Sequence, residues 1–150
     1  MLNNKKCSCI RCREIGRNLL YNYYDINIDL LSINVIKYIV CNGEEFFIEI
    51  TEKKNNFLIG YCRLRFPSEV NFFMKKNIAI IREIRMYKTK INSFLKKYNG
   101  YKQLIEKAEN ISIENGYSII AIVCGVGARE YYKKYNYEFN GLYMIKELIQ

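Results

Sequence analysis

"IAIVCGVGAREYYKKYNYEFNGLYMIKEL", Ile120 to Leu148, decides how this chain folds. The apolar run "YSIIAIVC" (117–124) leads into it and reads as a buried strand. A short helix over about residues 128–135 follows, then a hairpin turning at Asn140 and Gly141. Upstream, "GYKQLIEKAENISIENG" (100–116) puts Tyr101, Leu104, Ile105, Ala108 and Ile111 at helical spacing, and Gly116 is placed to end that helix. Before it lies "IAIIREIRMY" (78–87), a strand by its apolar content, and a basic loop from Lys88 to Asn99. Further back, residues 33–75 read as β-structure. "INVIKYIV" (33–40) and "EEFFIEITE" (44–52) are joined by Asn42 and Gly43, a hairpin signal, and "FLIGYCRLRF" (57–66) follows the polar turn "KKNN".

The whole chain has 150 residues, half of them hydrophobic and one a proline. That composition excludes a disordered chain, and a chain of this length buries roughly two thirds of its unfolded surface in one core. The apolar runs are too short to cross a bilayer and "MLNNKKCSC" is polar from the start, so the expectation is a cytoplasmic protein without a membrane partner. The formal net charge of +9 suits a polyanionic partner, against the bland reading of solvated lysines in a lysine-rich composition. No histidine is present, which removes the commonest general base near neutral pH.

The segment "KKCSCIRCREIG" (5–16) carries Cys7, Cys9 and Cys12 in a C-x-C-x-x-C arrangement. Three thiolates so close together suit zinc, which takes four tetrahedral ligands. Cys41, Cys62 and Cys124 are the candidates for the fourth, although each falls in a segment read as strand, where a free cysteine is an ordinary small hydrophobe. A disulfide is the weaker alternative, and an iron–sulfur cluster is compatible with the ligand type. Two parts are expected: a Cys-rich zinc-binding segment with its connector (1–27) and an α/β domain (28–150).

The order of elements alone is weak evidence of kinship. The residues are more specific. "CSCIRCREIG", "FLIGYCRLRF", "IIREIRMY", "GYKQLIEKAE" and the stretch from Ile120 to Leu148, in that order, closely resemble the C-terminal part of the catalytic subunit family of Elongator, radical SAM and acetyltransferase-like enzymes of tRNA modification. The resemblance implies a GCN5-related N-acetyltransferase (GNAT) fold: a mixed central sheet flanked by helices, holding acetyl-CoA beside a tRNA. In that family a radical SAM domain acts on the acetyl group, leading to a carboxymethyl group on the wobble uridine. The C-x-x-x-C-x-x-C spacing of such a domain does not occur in these 150 residues, so a radical SAM domain or subunit is an expected further partner.

The same resemblance assigns residues. "YYKKYNY" (131–137) follows an aromatic-Tyr-x-x-x-Gly-aromatic pattern with Asn136 in the glycine place, which puts Tyr132 where the superfamily tyrosine meets the thioester sulfur; Tyr131 is beside the cofactor, and a core aromatic on the bland reading. Glu83, Ile84, Arg85 and Met86 lie along the acetyl and pantetheine arm, and Glu83 is the one carboxylate there that could order water or an amine, against the plain alternative of an ion pair with Arg82 or Arg63. A histidine is usual in the family where Arg85 stands, and a glycine where Lys88 stands. The pyrophosphate cradle, Gln or Arg-x-x-Gly-x-Gly at a helix start, is represented by "KYNGYK" (97–102): Lys97, Tyr98, Asn99 and Gly100 keep part of it, while Lys102 replaces the second glycine. Lys88, Lys90, Lys96, Lys97, Lys133 and Lys134 would form a basic rim for tRNA at the cofactor mouth. Two functional classes follow: a domain that binds or hydrolyses acetyl-CoA in response to tRNA, or a non-catalytic tRNA- and partner-binding module on the same fold.

Overall fold

The computed structural model describes residues 7–18, 28–67, 77–87 and 98–148. Seven strands form one sheet: β1 (Leu31–Val40), β2 (Gly43–Glu52), β3 (Phe57–Phe66), β4 (Ile78–Met86), β5 (Ile119–Ile122), β6 (Glu138–Asn140) and β7 (Tyr143–Glu147). Their order across the sheet is β1-β2-β3-β4-β5-β7-β6. β1 to β4 are successive antiparallel neighbours, whereas β4 and β5 pair in parallel. A parallel pair needs a long crossover, and α3 (Gly100–Glu114) lies within it.

The helical pattern of α3 is confirmed. Leu104, Ile105, Ala108, Ile111 and Ser112 are buried, and the helix packs on β2, β3 and β4. Its core partners include Ile48 and Ile50 of β2, Leu64 of β3 and Ile81 of β4. Gly116 ends the helix at φ 77°, and the Tyr117 amide donates back to the Ser112 carbonyl at 2.9 Å, closing a left-handed cap.

Both hairpins form, one residue away from the expected turns. The β1–β2 turn is made by Cys41 (φ 46°) and Asn42 (φ 57°), while Gly43 already pairs with Val40. Gly43 answers a packing demand instead: a Cβ there would stand 2.7 Å from the Phe66 carbonyl oxygen. Cys41 therefore belongs to a turn and not to a strand, and it is exposed. In the second hairpin Asn140 pairs with Tyr143, and Gly141 (φ 68°) and Leu142 make the turn. β5 is shorter than the apolar run "YSIIAIVC" because Tyr117 turns aside to stack on Phe66 at 4.1 Å, and Val123 and Cys124 run past the end of the pairing.

The Cys-rich segment folds into two single turns, α1 (Ile10–Arg13) and α2 (Ile15–Asn18). It is fastened to the sheet by a fully buried Ile15, a bridge between Glu14 and Leu58, and an ion pair of 2.6 Å from Arg13 to Glu49. Among the described residues no helix is long and apolar enough to cross a membrane.

Candidate functional site

The site begins where β4 and β5 part. Their parallel pairing covers Ile78–Ile81 against Ile119–Ile122, and the Val123 amide makes a last bond of 3.2 Å to the Ile81 carbonyl. β4 then runs on through Arg82, Glu83, Ile84, Arg85 and Met86 with β3 as its one strand partner among the described residues. A register shift between Arg63 and Leu64 leaves Arg82 unpaired in a bulge, which bends the strand and strengthens its twist. The backbone groups of β4 that face the split can therefore serve amides of an extended ligand.

At one side of the split stands the start of α3. Asn99 caps it, its side-chain oxygen accepting from the Lys102 amide at 3.2 Å. The Tyr135 hydroxyl reaches the same oxygen at 3.5 Å and meets the Tyr131 hydroxyl at 2.9 Å. The Gly100 amide turns back to the Tyr98 carbonyl at 2.9 Å, and the Tyr98 hydroxyl donates to Gln103 at 2.7 Å. Gly100 is buried against Met86 and Ile50: a Cβ there would lie 2.8 Å from the Met86 sulfur and 3.3 Å from Ile50 Cδ1. A side chain at this position would have to displace the flexible end of Met86. The Lys102 ammonium leans on Glu106 at 3.6 Å, an exposed pair of little energetic weight.

On the other side, α4 (Arg129–Lys133) presents Tyr131 and Tyr132. Tyr132 is nearly buried, edge-on to Tyr131 at 5.6 Å and to Tyr137 at 6.2 Å. Burial pushes its pKa up to about 12, with Cys124, Tyr101 and Cys62 adding to the rise. Its proton therefore stays on at neutral pH, making it a donor and not a base. Tyr131 is half-buried, packs on Tyr101 and Tyr135, and its pKa is likewise raised by burial. Asn136 takes φ 64°, so asparagine does supply the left-handed turn where the family pattern has glycine.

Glu83 is tied down. Its carboxylate accepts from the Tyr61 hydroxyl at 2.7 Å and lies 3.6 Å from Arg85 and 3.8 Å from Arg63. Arg82 turns to Glu45 instead, at 2.8 Å. Glu45 is fully buried, and also accepts from the Tyr38 hydroxyl at 2.6 Å and from Arg63 at 2.6 and 2.8 Å. Burial works to raise the Glu45 pKa, but the Tyr38 hydroxyl and the two arginines outweigh it and hold the group below its ordinary range. This buried network was not anticipated. Glu45, Glu49 and Thr51 fall on one face of "GEEFFIEITE", a polar side that reads as solvated, and that face is in fact covered.

Cys7, Cys9 and Cys12 come together as expected, with their sulfur atoms within 4.8 Å of one another and all three residues exposed. Cys9 is lowered to about 7, chiefly by the Cys12 amide, and Cys12 is raised to about 11 by sharing hydrogen bonds with Cys9 and Cys7. Such a set yields a thiolate readily, and softness and number suit zinc. Among the described residues no fourth cysteine or carboxylate joins the group, Cys62 being fully buried in the core. A cavity of about 400 Å³ lies beside the sulfurs, lined also by Arg13, Asn55, Asn56 and Phe57. Of the expected basic rim, Lys133 pairs with Glu130 at 2.6 Å, Lys134 is exposed, and Lys88, Lys90, Lys96 and Lys97 fall outside the described residues.

No protein-family model matches the chain. It is 34% identical over 152 residues to Elongator complex protein 3 of Dictyostelium discoideum, covering 95% of this chain and 27% of that protein. It is also 34% identical over 154 residues to the tRNA uridine(34) acetyltransferase of Methanocaldococcus jannaschii, covering 95% of this chain and 28% of that one. The chain is a relative of the Elongator complex protein 3 family. A solved archaeal Elp3 from Methanocaldococcus infernus, with its N-terminus deleted, superposes with a TM-score of 0.83 at 29% identity, covering 95% of this chain and 35% of that structure. The seven-stranded mixed sheet flanked by helices is the α/β architecture expected from the residues, and it is shared with that archaeal Elp3. The chain spans little more than a quarter of the length of the curated Elongator relatives it matches.

Proposed function

We propose that this chain is the acetyl-CoA-binding, acetyltransferase-like part of an Elongator-type system that modifies the wobble uridine of tRNA, and that it needs a radical SAM half for the modification itself. One observation carries the reading: Tyr132 on α4 is nearly buried and within electrostatic reach of Cys124, just past the end of β5, and of Cys62, which pairs with Ile84 of β4, in a chain related to a tRNA uridine(34) acetyltransferase. Acetyl-CoA would bring an acetyl group already activated as a thioester. The exposed backbone of Glu83–Met86 is suited to align its amide-bearing arm, and Tyr132, whose proton is held to about pH 12, is a fixed donor beside the split. Glu83, already accepting from Tyr61 and flanked by two arginines, is better suited to ordering the strand and a water than to taking a proton.

The diphosphate end fits less well. The Lys102 amide, which a phosphate would use at a helix start, is occupied by Asn99, and the family's second glycine is Lys102. That observation favours the second reading, a non-catalytic tRNA- and partner-binding module. Titration calorimetry with acetyl-CoA separates the two. Weak binding by the wild type that Lys102→Gly tightens supports the cofactor site with a sterically impeded cradle. Tight wild-type binding weakened by Lys102→Gly would mean that the lysine charge holds the phosphates, and no binding by any variant would leave the non-catalytic module standing.

Zinc on Cys7, Cys9 and Cys12 belongs to the same proposal: three adjacent exposed thiols are vulnerable to oxidation unless a metal holds them. Elemental analysis of the reduced protein should find one zinc per chain, and less than about a quarter equivalent would remove the metal from the reading.

A further inference from the structure

The face of β3 and β4 that carries Arg63 and Glu83 is knit by ion pairs. Directly paired residues lie on one face of a sheet, and Arg63 pairs with Glu83, Tyr61 with Arg85, and Glu45 with Arg65. The β4 bulge matters here. Ile81 is fully buried in the apolar core and Glu83 lies on the other face; the extra residue between them, Arg82, reaches Glu45 and so joins the charged face. Four arginines are thereby gathered over two carboxylates.

Their exposure is graded. Glu45 is fully buried, the side chains of Arg63, Arg82 and Arg85 are 33%, 47% and 58% exposed, and Glu83 is 34% exposed. Arg63 spends its guanidinium on Glu45 and Glu83, and Arg65 donates to the carbonyls of Val40 and Cys41. Arg82 uses one of its five N–H donors on Glu45, and Arg85 stands 3.6 Å from Glu83. A fully buried carboxylate is costly, and it is justified if it fixes the guanidinium groups above it before any ligand arrives. Among the described residues the surface so built presents pre-set planar donors and no exposed unpaired carboxylate, which suits an anion and not a cationic amine.

We infer that Arg82 and Arg85, held over Glu45 and Glu83 on the outer face of β3 and β4, form a phosphodiester-binding surface for an RNA strand. Arg82 and Arg85 are the most exposed of the arginines on this face, and half-buried Tyr38 and Tyr87 border it, the interleaving of basic and aromatic side chains that nucleic-acid strands use. The inference rests on the reading that the domain works on RNA.

The test is binding of a fluorescein-labelled anticodon stem-loop RNA to the full 150-residue chain at several salt concentrations, for wild type, Arg82→Gln/Arg85→Gln and Lys133→Gln/Lys134→Gln. The arginine pair should weaken binding roughly tenfold or more at low salt and flatten the log–log salt slope by about 1.4 to 1.8, two phosphates' worth, with the lysine pair doing less. Arg85→Gln alone, at the most exposed position, should give about half that change and keeps the test decisive if the double variant melts. A slope unchanged by the arginine substitutions, or a loss carried by the lysine pair, overturns the inference while leaving RNA binding intact. A double variant that loses acetyl-CoA and keeps RNA assigns the surface to the cofactor's phosphates and equally overturns it. No RNA binding by the wild type would remove the tRNA reading and this inference together.

Discussion

The two faces of β2 are both buried, by opposite means. Toward α3, Phe46, Ile48 and Ile50 join an apolar core; on the other face Glu45 and Glu49 are held by Arg63, Arg82 and Arg13. The apolar face is non-directional, so its contacts tolerate small shifts. The charged face is all-or-none: each carboxylate has left water, and it stays buried only while its partners remain. One strand thus anchors both a packed core and a polar surface.

The largest expected effect breaks the charged side. Glu45→Ala removes the acceptor shared by Tyr38, Arg63 and Arg82, but the two arginines are a third to a half exposed and Arg63 keeps Glu83, so the cost in urea unfolding should be about 2 to 3 kcal/mol. Converting Glu45, Arg63 and Arg82 together to leucine and methionines should cost much less; an equal cost would show that the network acts as more than a set of matched charges. The pH dependence has a definite sign. Because the folded Glu45 pKa is depressed, its contribution is complete above the ordinary carboxylate pKa and is lost as pH falls through the folded value. The gap between wild type and Glu45→Ala should therefore narrow in acid.

A smaller effect probes the apolar side at the mouth of α3. Met86 sits in a slot between Gly60 and Gly100, and a Cβ at Gly100 would meet both Met86 and Ile50. Gly100→Ala should destabilise by about 1 to 3 kcal/mol despite the better helix propensity of alanine. Combined with Met86→Ala, it should cost less than the sum of the two single changes. Strict additivity in melting experiments would mean that the slot is looser than the contacts indicate.

The smallest effect is at the cap. Asn99→Ala removes the acceptor for the Lys102 amide and should cost about 1 kcal/mol of stability. Freeing that amide should also tighten acetyl-CoA binding if a phosphate competes with Asn99 for it. Unchanged affinity in calorimetry would separate the cap from the cofactor question.

Much of this was legible in the residues. Periodicity located α3 and its Gly116 cap, the spacing of Cys7, Cys9 and Cys12 brought three sulfur atoms together, and "YYKKYNY" implied the left-handed turn at Asn136. These features are local, fixed by neighbours within one or two turns of chain. The hairpins were found but displaced by one residue, because Gly43 is required by Phe66 across the sheet and not by its own φ. Gly100 is similar in kind, a motif glycine against which Met86 and Ile50 also pack.

By itself, then, the sequence determined the strand and helix order and the cysteine cluster, since each depends on patterns along a short stretch, while the class of fold was implied by resemblance to a known family. Tertiary structure alone decided that Glu45 would be buried, that Arg82 would be turned by a bulge to the face of Arg63, and that Asn99 would occupy the amide of Lys102. Residues 45, 63 and 82 meet through strand pairing across long separations of sequence. An alternating strand looks the same whether its polar side faces water or arginines, so only the packed sheet could distinguish them.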